Sequence, residues 1–255
     1  MPSPRLLAPI AFAVALAALP LAAVAQSFSD AQRGEIETII KNYLVSHPEV
    51  LEEASAELSK RQAAADNEKQ RAAVEKYSDE LFKSKRNVVI GNPNGDVNFV
   101  EFFDYNGGYC RHAMGDMLSL LKTDPKLRVT LMEFPVLGPG SVEAARVAVA
   151  VHMQDPTGKK YLDFHQRLLG GRGQADKARA LAAAKDAGLD MARIEKDMVS
   201  PEVQATLERN LKVAEALGLN GTPSYIIGKD VVVGAIGLDG LTKKVAEARC
   251  GKENC

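Results

Sequence analysis

Apolar residues recur at helical spacing in the first part of the chain and change to strand-like runs near residue 88. Ser29-Asp30-Ala31-Gln32 reads as a capping box, and Ile36, Ile39, Ile40, Tyr43 and Leu44 follow on one helical stripe. His47-Pro48 breaks that helix and starts another, because proline is tolerated in a first turn. Val50, Leu51, Ala54 and Leu58 continue the stripe. Between Ser59 and Ala73 no large apolar residue occurs, so a helix there has little to bury and reads as a solvated stalk or hinge. Val74, Tyr77, Leu81 and Phe82 then restore a stripe. The first helix is too short to be stable alone. Its isoleucines predict packing on copies of itself, a homo-oligomer through residues 29–60, with folding back onto its own domain as the alternative.

From Val88 the pattern is that of a mixed α/β domain. Val88 to Ile90 is a short strand, and Asn92-Pro93-Asn94-Gly95 is a turn. Val97 to Asp104 is a strand whose second half is nearly continuous in apolar residues, as a central strand requires. A helix is predicted from about Gly108 to Lys122, then an alternating strand from Leu127 to Phe134. Gly138-Pro139-Gly140-Ser141 opens an alanine-rich helical block that runs to Leu217, broken at Asp155-Pro156, Gly170-Gly171, Gly188-Leu189 and Ser200-Pro201. Strands at Ser224 to Ile227 and Val231 to Val233 and a last helix from about Leu238 to Ala248 complete it. A parallel strand-helix-strand start, inserted helices and an antiparallel finish describe one α/β domain.

With 255 residues and 46% hydrophobic content, the chain can bury one core and carry an appendage. A formal net charge of −1 gives no reason to expect nucleic acid as a partner. Residues 1–25 read as a leader: Arg5 is a short basic region, Leu6 to Leu21 an apolar run, and Ala23-Val24-Ala25 a small-x-small cleavage signal. Pro9 and Pro20 interrupt the run, which disfavours an uncleaved anchor. The mature chain is expected to begin at Gln26 and to reach a compartment where disulfides persist. Its cysteines are Cys110, Cys250 and Cys255, an odd number for an exported protein.

Separated segments then resemble the DsbA family of exported thioredoxin-fold proteins, and in particular its ScsC-type members with a helical N-terminal extension. They are Phe102-Phe103-Asp104-Tyr105-Asn106 leading to Gly108-Tyr109-Cys110, Glu133-Phe134-Pro135-Val136-Leu137-Gly138-Pro139 with Ser141 to Arg146, and Gly221-Thr222-Pro223-Ser224-Tyr225. The resemblance implies a thioredoxin fold with an inserted helical domain at about 141–217, within a domain spanning 88–249. It is preceded by N-terminal helices over 26–87 and followed by a tail at 250–255. It also implies a protein thiol–disulfide oxidoreductase or isomerase that works in the periplasm without a cofactor. Cysteine-containing or unfolded exported proteins would be its partners, with a membrane redox partner in addition.

The family's chemistry needs two thiols in a Cys-x-x-Cys pair. The first sits at a helix N-terminus, where unpaired N–H groups and the macrodipole hold its pKa below the ~8.5 of a free cysteine. The second resolves the mixed disulfide. Carried over, Gly107 stands at the nucleophile's position and Cys110 at the resolver's, with Gly108 and Tyr109 between them. Thr222 and Pro223 would line the groove for an extended substrate, as the family's cis-proline loop does. Glycine cannot attack, so dithiol exchange is expected to be impaired, and an unshifted Cys110 would be only about 3% ionised at pH 7. A non-catalytic, chaperone-like peptide-binding protein on the same scaffold is the alternative.

Restoring a cysteine at 107 would sort the thiols into 107–110 and 250–255. Cys250 and Cys255 close a small ring suited to a structural disulfide, while a second redox pair would lack a helix N-terminus to lower a thiol pKa. Cys110, Met114 and Met117 share a helix face with His112 nearby, a soft-ligand pattern that suits Cu(I), and ScsC-type proteins are linked to copper tolerance. A buried face filled by adaptable methionines accounts for the same spacing, and no metal is expected. His47, His152 and His165 show no ligand spacing and read as surface or capping residues.

Overall fold

A computed structural model describes residues 28–253 and 255, so the predicted leader lies outside the described residues. The chain divides into two compact units, Met1–Leu58 and Ser59–Cys255. In the first, helix α1 (Asp30–Ser46) is capped by Ser29, whose side chain accepts from the Gln32 amide while Gln32 answers the Ser29 amide at 2.9 Å. No residue of α1 is buried. Ile39 (66% exposed), Ile40 (52%) and Tyr43 (53%) all face solvent. Helix α2 (Glu49–Lys76) contains the division between the units, and its residues from Leu51 to Lys69 are exposed, those from Ser59 on as their charge and lack of large apolar side chains require, and Leu51 and Leu58 despite their apolar character.

Within the second unit α2 regains a core partner at buried Val74, and Arg71 pairs with Asp230 at 2.9 Å. Helix α3 (Ser78–Phe82) buries Leu81. Strand β1 (Val88–Gly91), β2 (Val97–Phe103), helix α4 (Gly108–Thr123) and β3 (Leu127–Glu133) follow. Between β3 and β4 (Ser224–Ile227) come α5 (Pro139–Gln154), α6 (Lys159–Gly170), α7 (Lys177–Asp186), α8 (Met191–Asp197) and α9 (Pro201–Ala216). Strand β5 (Asp230–Val233) and α10 (Gly237–Cys250) end the fold.

The sheet order is β1-β3-β2-β4-β5, with β2 and β3 parallel and the other pairs antiparallel. This is the mixed α/β thioredoxin arrangement expected from the sequence. Central β2 is flanked on both edges, so its burial is nearly continuous, and consecutive side chains enter different cores. Phe99 and Phe103 join the cluster under α4 and α6, while Val100 and Phe102 join Val74, Leu81 and Leu217 on the other face. Helix α4 begins where β2 ends, and that junction carries the site.

Candidate functional site

The turn after β2 is held by one carboxylate. Asp104 is 1% exposed, and its Oδ1 accepts from the Asn106 amide at 2.8 Å and the Ser141 hydroxyl at 2.7 Å. Its Oδ2 accepts from the amides of Val136 and Leu137 at 2.8 and 2.9 Å. The loop after β3 is thereby fastened to the end of β2. Asn106 fastens a second loop: its amide group donates to Ala175 O at 2.9 Å and its Oδ1 accepts from Ala175 N at 2.7 Å. Four separated segments meet at one turn.

Gly107 is the N-cap of α4, with φ −73° and ψ 111°, a backbone that any residue adopts. Its glycine identity is therefore not a demand of the chain path. A Cβ built there would stand 2.7 Å from Cys110 Sγ and 3.1 Å from Asp104 O. In a disulfide the Cβ of one cysteine lies about 3 Å from the sulfur of the other. Position 107 thus points its missing side chain at the remaining thiol, at close to bonding geometry.

Cys110 is fully buried and is the free cysteine of the described residues. Burial pushes its thiol up to about 11, against the opposing pull of the Asp104 backbone and the Thr222 side chain. At pH 7 that leaves about one thiolate in ten thousand. Cys110 is the third residue of α4 rather than its N-cap, and its burial leaves it further from the thiolate than an unshifted thiol would be. Gly108 opens the helix, and Tyr109, the next residue, is 73% exposed.

The Thr222–Pro223 peptide bond is cis. Among the described residues the amide and carbonyl of Thr222 have no backbone partner, whereas Pro223 O accepts from Gly234 N at 2.9 Å. The influence of Thr222 on the Cys110 thiol places this loop across from the helix terminus. Free backbone groups on an extended loop beside a thiol are what an added peptide strand would use. Val136 (44% exposed) and Leu137 (51%) supply apolar surface on another side.

Cys250 and Cys255 are joined, with an S–S distance of 2.07 Å and a Cα–Cα distance of 6.2 Å. Cys250 is the last residue of α10 and Cys255 lies in the tail beyond it, away from the helix N-terminus. Met117 is buried in the core and Met114 packs against it, while His112 turns its Nδ1 to Gly108 O at 2.9 Å. Among the described residues no group of three His, Cys, Asp or Glu could hold a metal ion.

Two buried polar groups went unassigned in the sequence. Glu101, on β2, is 3% exposed, and burial pushes its carboxyl up to about 8. Its register partner on β4 is Tyr225, whose buried hydroxyl has no partner among the described residues and is pushed up by burial, then by Glu101 and Cys110. The available signal was a lone acid in an otherwise apolar central strand. Behind the turn, Tyr161 donates to Glu133 at 2.6 Å, and the Tyr105 hydroxyl lies 3.3 Å from Glu133, Tyr161 and His165. Burial drives His165 down to about 3, so it stays neutral at pH 7, and burial raises the Glu133 carboxyl well above the ordinary carboxylate range. The reading of His152 and His165 as surface or capping residues fails: they are 8% and 2% exposed, because His152 turns its Nε2 to Lys85 O at 3.1 Å and packs edge-on against Tyr161, while His165 packs against Phe103 of β2 and Tyr105 of the turn. His47 is exposed at the C-cap of α1.

A thiol at the start of a helix that leaves a central strand, faced by a cis-proline loop, defines a protein of the thioredoxin fold and of the thiol–disulfide oxidoreductase type. The DSBA-like thioredoxin domain matches residues 99–246, and the chain belongs to that family. The copper resistance protein ScsC N-terminal domain matches residues 32–65. A thioredoxin-like oxidoreductase from Silicibacter pomeroyi is 42% identical, with a TM-score of 0.63 over 67% of this chain and 96% of that one. Proteus mirabilis ScsC in a transitional conformation is 28% identical, with a TM-score of 0.64 over 88% of this chain and 98% of that one. The Na(+)/H(+) antiporter NhaA of Herminiimonas arsenicoxydans is 27% identical over 142 residues, 54% of this chain, and the chain spans only 22% of that relative's length.

Proposed function

We propose that the chain is an exported, periplasmic member of this family that engages cysteine-containing or unfolded client proteins at the Thr222–Pro223 loop, with dithiol exchange disabled at Gly107. The leader pattern of residues 1–25 supports export. One observation carries the chemistry: a side chain at 107 would meet Cys110 Sγ at 2.7 Å, and glycine puts nothing there. Without a partner thiol within the chain, a mixed disulfide on Cys110 can be released only by an external thiol, such as that of a membrane redox partner. Slow monothiol chemistry is what a buried thiol near 11 supports.

A client-holding protein without catalysis is the second reading. The unpaired backbone of Thr222 and the exposed Tyr109, Val136 and Leu137 favour it, since these contacts need no nucleophile. On either reading the exposed isoleucines of α1 act by joining copies of the chain through residues 29–60.

Reduction of a disulfide substrate and refolding of a scrambled one separate these readings when the natural chain is compared with Gly107→Cys. We expect a gain of at least about a hundredfold, because a helix-terminal thiol near neutral pKa is largely ionised where a thiol near 11 is about one part in ten thousand. Substantial, equal activity in both proteins would remove Gly107 as the cause of impairment. Inactivity in both would favour the client-holding reading.

A further inference from the structure

Two loops of opposite character pack on the turn at Asp104–Gly107 and meet each other where Gly140 approaches Ala175. The loop of Val136 and Leu137 is apolar and exposed. The second loop, ending at Ala175 and stapled to Asn106, gathers guanidinium groups. Arg111 reaches it from the first turn of α4 and donates to Leu169 O at 2.9 Å. Arg172 belongs to it and is exposed. Arg179 folds back from α7 to donate to Gly173 O at 2.6 Å, and it lies so close over Gly171 that a Cβ there would strike its guanidinium. Three positive charges thus converge on residues 169–173.

None of the three has a carboxylate partner among the described residues. Arg86, Arg167, Arg193 and Arg249 are all ion-paired elsewhere in the same unit. The nearest acid in sequence, Asp176, is occupied as the N-cap of α7. Arg111 in part serves the C-terminus of α6, whose last carbonyls favour a cation. That role accounts for one charge and leaves Arg172 and Arg179. A chain of net charge −1 therefore keeps a local positive excess beside its site.

From this placement we infer that the occupant of the groove is an extended acidic peptide segment, with apolar side chains toward Val136 and Leu137 and carboxylates toward Arg111, Arg172 and Arg179. This rests on the client-binding reading above and names the class of client. Rim charges of this kind speed encounter and select among partners, and they weaken as salt screens them.

The test uses the full mature chain and three labelled, cysteine-free peptides that share their apolar residues but carry glutamates, serines or lysines between them. Fluorescence anisotropy at low ionic strength should show the acidic peptide binding about tenfold tighter than the serine peptide and the lysine peptide weakest. The gap should close near 0.5 M salt. Arg172→Glu, an exposed and unpartnered position, should cost the acidic peptide about two- to fivefold, the scale of an exposed ion pair, and leave the serine peptide unchanged. Equal binding of acidic and serine peptides, or an unchanged affinity in Arg172→Glu, overturns the inference while leaving the groove intact. If no peptide of any charge binds, the client-binding reading falls and the inference falls with it.

Discussion

The turn at Asp104–Cys110 and the helix at Asp30–Ser46 are incomplete in opposite ways. The turn has its hydrogen bonds satisfied, its helix terminus built and its cis-proline loop in place, and it lacks one sulfur inside the chain. The helix has its cap and its apolar stripe, and among the described residues none of that stripe is buried. A local setting can therefore be complete without the group it serves. What is missing from the turn can be restored by one substitution, whereas for the helix we propose that a second copy of the chain supplies it.

The sharpest way to break this contrast is at Asp104, the residue on which the completeness of the turn depends. Asp104→Ala would strip four donors of their acceptor in one step. Hydrogen bonds to a buried charged group are worth about 1.5–3 kcal/mol each, and water can reach some of the donors left behind. A loss of about 4 kcal/mol in denaturant unfolding is expected. A loss below about 1 kcal/mol would mean that the turn holds its shape without this carboxylate.

Much of the fold was legible because its punctuation is local. Gly138-Pro139 and Ser200-Pro201 mark helix starts on their own, and Asp155-Pro156 marks a stop. The supports of the site were not legible, because each needs partners from distant segments. Asp104 looked like the end of a strand, yet its ligands come from residues 136, 137 and 141. His165 carried no spacing signal because Tyr105, the side chain it meets, lies on another element. The arginine excess was hidden by a balanced net charge, since Arg111 and Arg172 converge only after folding.

Glu101 allows a smaller and pH-resolved test. Its carboxyl titrates near 8 in the folded chain and near the ordinary 4.5 when unfolded. Between those values the unfolded chain has released the proton and the folded chain still holds it. Stability must then fall as pH rises through that window and level off above about 8. Glu133, raised in the same sense, adds to the trend in the natural chain. Glu101→Gln keeps a neutral polar group and removes only its own part. The stability gap between variant and natural chain should widen from pH 5 to pH 8 by on the order of 3 kcal/mol in favour of the variant. A constant gap would place Glu101 in contact with solvent.

The other half of the contrast is testable at α1, where the expected effect is smaller per residue. Ile39 and Ile40 are more than half exposed, and burying an isoleucine is worth about 1.5–3 kcal/mol. If α1 packs against copies of itself, Ile39→Ser should weaken association at least tenfold in sedimentation of the full mature chain. The thermal unfolding of the Ser59–Cys255 unit should stay unchanged, because α1 contributes no buried residue to it. A monomeric natural chain at micromolar concentration would sink the oligomer, and the stripe would then need another cover. Gly107→Cys is the useful second variant here. If catalysis and association are separate properties, Gly107→Cys should change activity and leave the oligomer alone, and Ile39→Ser should do the reverse.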